Sequence, residues 1–171
     1  MRVIIQIVVA LITFAHFSYS QDCTEFIIVD EDNNTHEKQY SGKDFIDVVN
    51  NVDTTLQLLT MLSNDRATLI FSLTALKKIS CVDPTDEIDF TFADNSRYSA
   101  SGNQGFNCNG AFSIYFGDFK KNDTLLKLFL AKKLIAIRLY CRSGILNVTL
   151  SKSNSEELFG EMNCLNGYLK R

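Results

Sequence analysis

Residues able to do chemistry are few in this chain, and their spacing decides against most reactions. Asp83, Asp86, Glu87, Asp89 and Asp94 lie close together along the sequence. A pair drawn from them would suit general acid and base work of the kind that cleaves glycosidic bonds. Such a cluster beside a strand more often faces water or guards a sheet edge, and no nucleophile with a base accompanies it. The chain has two histidines, His16 and His36, so a triad would rest on His36 once the leader described below is removed, and a multi-histidine metal site is excluded. G-x-S-x-G, S-x-x-K and H-E-x-x-H are all absent. Asp30, Asp32 and Asn34 have the D-x-D-x-N spacing of a calcium loop. Thr35, however, stands where that loop needs glycine, and Ser41 where it needs a bidentate glutamate. Gly102, Gly105 and Gly110 make no phosphate cradle, because no Gly-Lys-Ser/Thr follows them. The chain therefore reads as non-catalytic, with no metal and no cofactor.

The five cysteines, Cys23, Cys81, Cys108, Cys141 and Cys164, are widely spaced with no C-x-x-C, which fits structural disulfides better than zinc or redox chemistry. An odd count leaves at least one thiol outside any internal bridge. The pairing stays open at this point. Residues 1–20 combine Arg2, an apolar run from Val3 to Phe14, and small residues at Ser18 and Ser20. That is the pattern of a secretory signal peptide cut before Gln21, with a secreted or periplasmic destination. Nothing later approaches the ~20 apolar residues that an integral membrane segment needs. Residues 21–171 are then one domain. The leader takes away Arg2, one of 17 Lys and Arg, and none of the 20 Asp and Glu, so the net charge moves from −3 to about −4. The densest basic spots are pairs such as Lys77-Lys78, Lys120-Lys121 and Lys132-Lys133, too sparse for a nucleic-acid partner, and none is expected.

The elements that would position any site follow from the hydrophobic period. Ile88, Phe90 and Phe92 alternate with Asp89 and Thr91. Phe112, Ile114 and Phe116 alternate with Ser113 and Tyr115. Ile135, Ile137, Leu139 and Cys141 alternate with Arg138 and Tyr140, and Leu146, Val148 and Leu150 with Asn147 and Thr149. A period of two with one polar face marks antiparallel strands. Thr24 to Val29 and Thr35 to Tyr40 flank an Asp/Asn cluster and predict a hairpin. Leu69, Phe71 and Leu73 predict a further strand, as does the short run Ile79 to Val82, and Pro84 ends that run. Residues 122–133 predict a short helix with Leu125, Leu128 and Phe129 inward. Ser153 and Glu156 predict a capping box for a C-terminal helix that packs Leu158, Phe159, Met162 and Leu165. Over residues 43–64, Phe45, Val48, Val49, Val52, Leu56 and Leu59 follow helical spacing and predict an amphipathic helix. The fold class is α+β: a single domain with a mainly antiparallel sheet and two or three packed helices.

Residues 94–110, rich in Asn, Ser and Gly, read as a long surface loop. Arg97, Tyr98, Gln104 and Phe106 on that loop, with Tyr115, Arg138 and Tyr140 on the outer sheet face, are the candidate binding residues. Their chemistry suits a glycan, a peptide or another protein. The function expected is a secreted, non-catalytic binding or envelope-associated module. The alternative is a carrier enclosing a small apolar ligand between phenylalanine-rich faces. Asn33, Asn122 and Asn147 head N-x-S/T sequons.

Overall fold

A computed structural model describes residues 22–32, 37–51, 54–75, 81–102, 105–117, 123–141 and 144–169. The leader, His36, Gln104, Asn33, Asn34, Asn122, and Ile79 and Ser80 of the Ile79 to Val82 run lie outside them.

The fold is mainly antiparallel β-sheet with two helices, an α+β domain. Strands β1 (Ile27–Glu31) and β2 (Lys38–Gly42) form the expected hairpin, paired from Ile27 opposite Gly42 to Glu31 opposite Lys38. Strands β3 (Ile46–Asn51), β4 (Thr54–Leu62), β5 (Thr68–Ala75) and β8 (Ala111–Gly117) complete a six-stranded sheet in the order β1-β2-β4-β5-β8. β2 and β3 share one edge of the long β4: β2 meets its end at Met61, and β3 runs along its first half. Strands β6 (Glu87–Phe92), β7 (Arg97–Ser101), β9 (Leu134–Cys141) and β10 (Gly144–Thr149) make a second sheet, ordered β10-β9-β6-β7.

The inner faces of the two sheets meet in one aromatic core. Helix α1 (Asp123–Ala131) drives Phe129 between them, with ring centroids 5.3 Å from Phe71, 5.3 Å from Phe90, 5.6 Å from Phe92 and 5.9 Å from Phe116. Most of these contacts are edge-on, which aromatic quadrupoles favour. Helix α2 (Lys152–Tyr168) is capped by Ser151, whose hydroxyl accepts from the Asn154 N–H at 3.1 Å. It packs on β1, β2, β3 and β4 of the larger sheet and on β9 of the second, with Leu158, Met162 and Leu165 buried. Two disulfides, Cys23–Cys164 and Cys81–Cys108, staple the chain. The first ties α2 to the turn before β1. Cys141 is free and half-buried; burial, with the nearby Asp86 charge, pushes its thiol up to about 11. Two disulfides indicate an oxidising, extracytoplasmic setting, and no helix among the described residues is long and apolar enough to cross a membrane.

Three expectations are corrected. The helix expected over residues 43–64 is the β3–β4 hairpin. Ile46 and Val48, then Leu56, Leu58, Thr60 and Leu62, are buried in strict alternation, whereas Phe45 and Val49 point outward. The helical spacing arose from counting the inner and outer residues of two strands as one face, and the β-branched content favoured strand. Residues 94–110 are not one loop, because β7 lies inside them. Asn95 takes the left-handed backbone (φ 64°) and turns the chain back from β6, a conformation Asn tolerates. The N-cap of the C-terminal helix is Ser151 rather than Ser153, so the helix starts one residue before the expected cap.

Candidate outer-face site on the four-stranded sheet

With Ile88, Phe90 and Phe92 buried in the core, their neighbours Asp89 and Thr91 must face away from it. The strand register then lays out the outer face. One row runs Ser99, Asp89, Arg138, Asn147 across β7, β6, β9 and β10, and the next runs Arg97, Thr91, Ala136, Thr149. The β6–β9 pairing makes lateral neighbours of residues far apart in sequence, Asp89 with Arg138 and Thr91 with Ala136.

Asp89 holds the first row together. Its Oδ1 accepts from the Ser99 hydroxyl at 2.5 Å and its Oδ2 from the Tyr140 hydroxyl at 2.8 Å. Arg138 donates through Nε to Asn147 Oδ1 at 2.6 Å, which fixes the side chain while leaving its terminal nitrogens uncommitted among the described residues. The Arg97 side chain makes no hydrogen bond or ion pair among the described residues. In the second row Ala136 is the smallest side chain, so the face dips there. The result is an open groove of about 310 Å³ walled by Arg97, Thr91, Arg138, Asn147 and Thr149.

The other expected binding residues are spread over the molecule. Tyr98 shares the inward parity of buried Ala100, sits opposite Phe90 and packs against the core. It therefore lies on the opposite side of β7 from Arg97. Tyr115 stands on the outer face of the larger sheet, opposite Ile70. Phe106 is 59% exposed, beside the bridge between Val82 and Asn107 and the Cys81–Cys108 disulfide. Thus Arg97, Arg138 and Tyr140 come together, while Tyr98, Tyr115 and Phe106 do not join them. Sequence reasoning missed Ser99, Thr91, Ala136 and Thr149. Their outward parity was readable for β6, β9 and β10, but the pairing that aligns them was not.

Three more of the carboxylates weighed as acid and base, Asp83, Asp86 and Asp94, are used locally. Asp86 accepts from the Asp83 N–H at 2.8 Å, and Asp83 accepts from the Thr85 hydroxyl at 3.0 Å, closing the turn before β6. Lys132, 2.6 Å from Asp94, and the Ser96 hydroxyl hold the Asp94 carboxyl far below the usual carboxylate range. The one acid driven upward among the described residues is Glu161 of α2, which is fully buried. Burial pushes it up to about 8; the Thr60 hydroxyl, donating to Oε2 at 2.6 Å, opposes that, and the Glu157 and Asp44 charges add to it. The Lys43 backbone N–H also acts to lower it, and its Oε1 has no hydrogen-bond partner among the described residues. A Cβ at Gly42 would lie 2.6 Å from this carboxyl, so the glycine makes room for it. Among the described residues no group of three or more metal-ligating side chains is assembled.

No family model matches the chain, and no match is found among curated proteins or solved structures. The fold and the groove define the class only as a disulfide-stapled, two-sheet α+β domain.

Proposed function

We propose that this is a secreted, non-catalytic recognition domain that binds through the outer face of its four-stranded sheet. The observation that carries the reading is the groove at Ala136, where Arg97, Arg138 and Asn147 from three strands converge on a floor left open by one small residue. Polar side chains held by hydrogen bonds around a shallow depression suit a hydroxyl-bearing partner such as a glycan or a peptide edge. Support for secretion comes from the leader pattern of residues 1–20 together with two disulfides. The phenylalanines considered for a carrier are in contact with one another across the core, as an ordinary packed interior requires.

The test is a glycan and peptide array probed with the folded protein and with two variants. Ala136→Phe fills the groove and is expected to abolish the signals that the parent protein gives. Tyr115→Ala, on the opposite sheet, is expected to leave them unchanged. Signals that survive Ala136→Phe would remove the outer face from consideration.

A further inference from the structure

The groove has a charge character that the chain as a whole lacks. The protein is acidic overall, yet two guanidiniums line this depression against one carboxylate. That carboxylate, Asp89, already accepts from two hydroxyls. Arg138 is braced through Nε by Asn147, and Arg97 carries no partner among the described residues. A guanidinium with free terminal N–H groups is a planar fork that matches the two oxygens of a carboxylate or the face of a sulfate. Thr91 and Thr149, in the same row as Ala136, add hydroxyls suited to a ligand's own hydroxyl groups.

We propose that the groove takes the single acidic group of a small hydroxyl-bearing ligand, a carboxylate or sulfate such as an acidic sugar carries, between Arg97 and Arg138. This rests on the reading of the outer face as the binding face and adds the ligand's chemical class. Overall acidity disfavours a long polyanion, whose remaining charges would meet a repelling surface. One acidic group seated at the local excess of cation is not subject to that penalty. Screening by salt at this exposed site sets the scale of the effect.

The experiment follows backbone amide shifts of the isotopically labelled protein during titration with sodium glucuronate, with glucose 6-sulfate and with glucose. Both acidic sugars are expected to move the amides of Thr91, Arg97, Ala136 and Thr149, and to bind about tenfold more tightly than glucose, the margin of a charge-assisted contact. Arg97→Gln and Arg138→Gln should each weaken the acidic sugars about fivefold and leave glucose unaffected, with the rest of the spectrum unchanged as the control for folding. Response to only one acidic sugar identifies the carboxylate or the sulfate as the recognised group. If glucose binds as well as the acidic sugars, is indifferent to both arginine changes and is lost in Ala136→Phe, the acidic class is overturned while the face stands. If none of the three moves these amides, the acidic ligand is overturned, and array signals surviving Ala136→Phe would then overturn the face separately.

Discussion

Asp89 and Glu161 are both carboxylates pressed against a β-sheet, and the molecule treats them in opposite ways. Asp89 lies on an outer face, with a hydroxyl on each oxygen. Glu161 lies on the buried side of α2 with the Thr60 hydroxyl, the Lys43 N–H and two further acids nearby, and with an Oε1 unpartnered among the described residues. An exposed network such as that of Asp89 can be altered at little cost, because water replaces what is lost. A buried one-sided contact such as that of Glu161 costs stability whenever it ionises. Polar chemistry on the outer face is thus free to serve binding, while the inner chemistry constrains folding.

The inner side should show the largest response to mutation. Phe129 touches four other phenylalanines and is 2% exposed. Phe129→Ala opens a cavity at the junction of α1 and both sheets, with an expected loss of about 3–5 kcal/mol in urea unfolding. A loss below ~1 kcal/mol would mean that the sheets close without the helix. Removing the Cys23–Cys164 staple, which spans 141 residues, should cost about 2–5 kcal/mol. Cys23→Ser with Cys164→Ser, measured by the same unfolding, checks it.

Glu161 gives the comparison its pH signature. Its folded value of about 8 lies above the ordinary 4.5, so between these two values the native state holds a proton that the unfolded chain has released. Stability therefore falls as pH rises through that window and levels off above it. Below it both states are protonated and Glu161 contributes no slope. Relative to Glu161→Gln, the parent protein should lose about 2–4 kcal/mol between pH 5 and pH 8. The difference in slope is the readout, since Gln leaves its own amide donors unpaired at every pH. Parallel pH profiles for the two proteins would show that Glu161 is not held as a buried acid.

The same contrast explains how much was legible in the sequence. Faces were: the alternation in β5, β6, β8 and β10 placed Phe71, Phe90, Phe112 and Val148 inward, as the structure has them. Partners were not. Period two says which side a residue faces, but nothing in it aligns Thr91 with Ala136 or Asp89 with Arg138, and the groove exists only through that alignment. The error over residues 43–64 has a related cause. Two successive strands can mimic one helical stripe, and only β-branched content distinguished them. Strand β7 was hidden because its alternation, Tyr98 and Ala100 against Arg97 and Ser99, uses a small residue where a larger apolar one would have been noticed.

On the outer face the expected effects on stability shrink. Asp89→Ala removes two hydroxyl contacts from a partly exposed carboxylate and should cost about 0.5–1.5 kcal/mol, with Tyr140 and Ser99 turning to water. Arg97→Gln should cost less than ~0.5 kcal/mol, because its side chain is exposed and gives up no bond within the described residues. A residue whose removal leaves the unfolding midpoint unchanged yet weakens a ligand is held for the ligand, whereas a residue that shifts both is holding the fold. Measured together by urea unfolding and by titration, Arg97 should fall in the first group and Asp89 between the two. If Arg97→Gln instead destabilised the domain by more than ~1 kcal/mol, its charge would be engaged within the fold, and the contrast between the proposed binding face outside and a buried acid inside would lose its outer member.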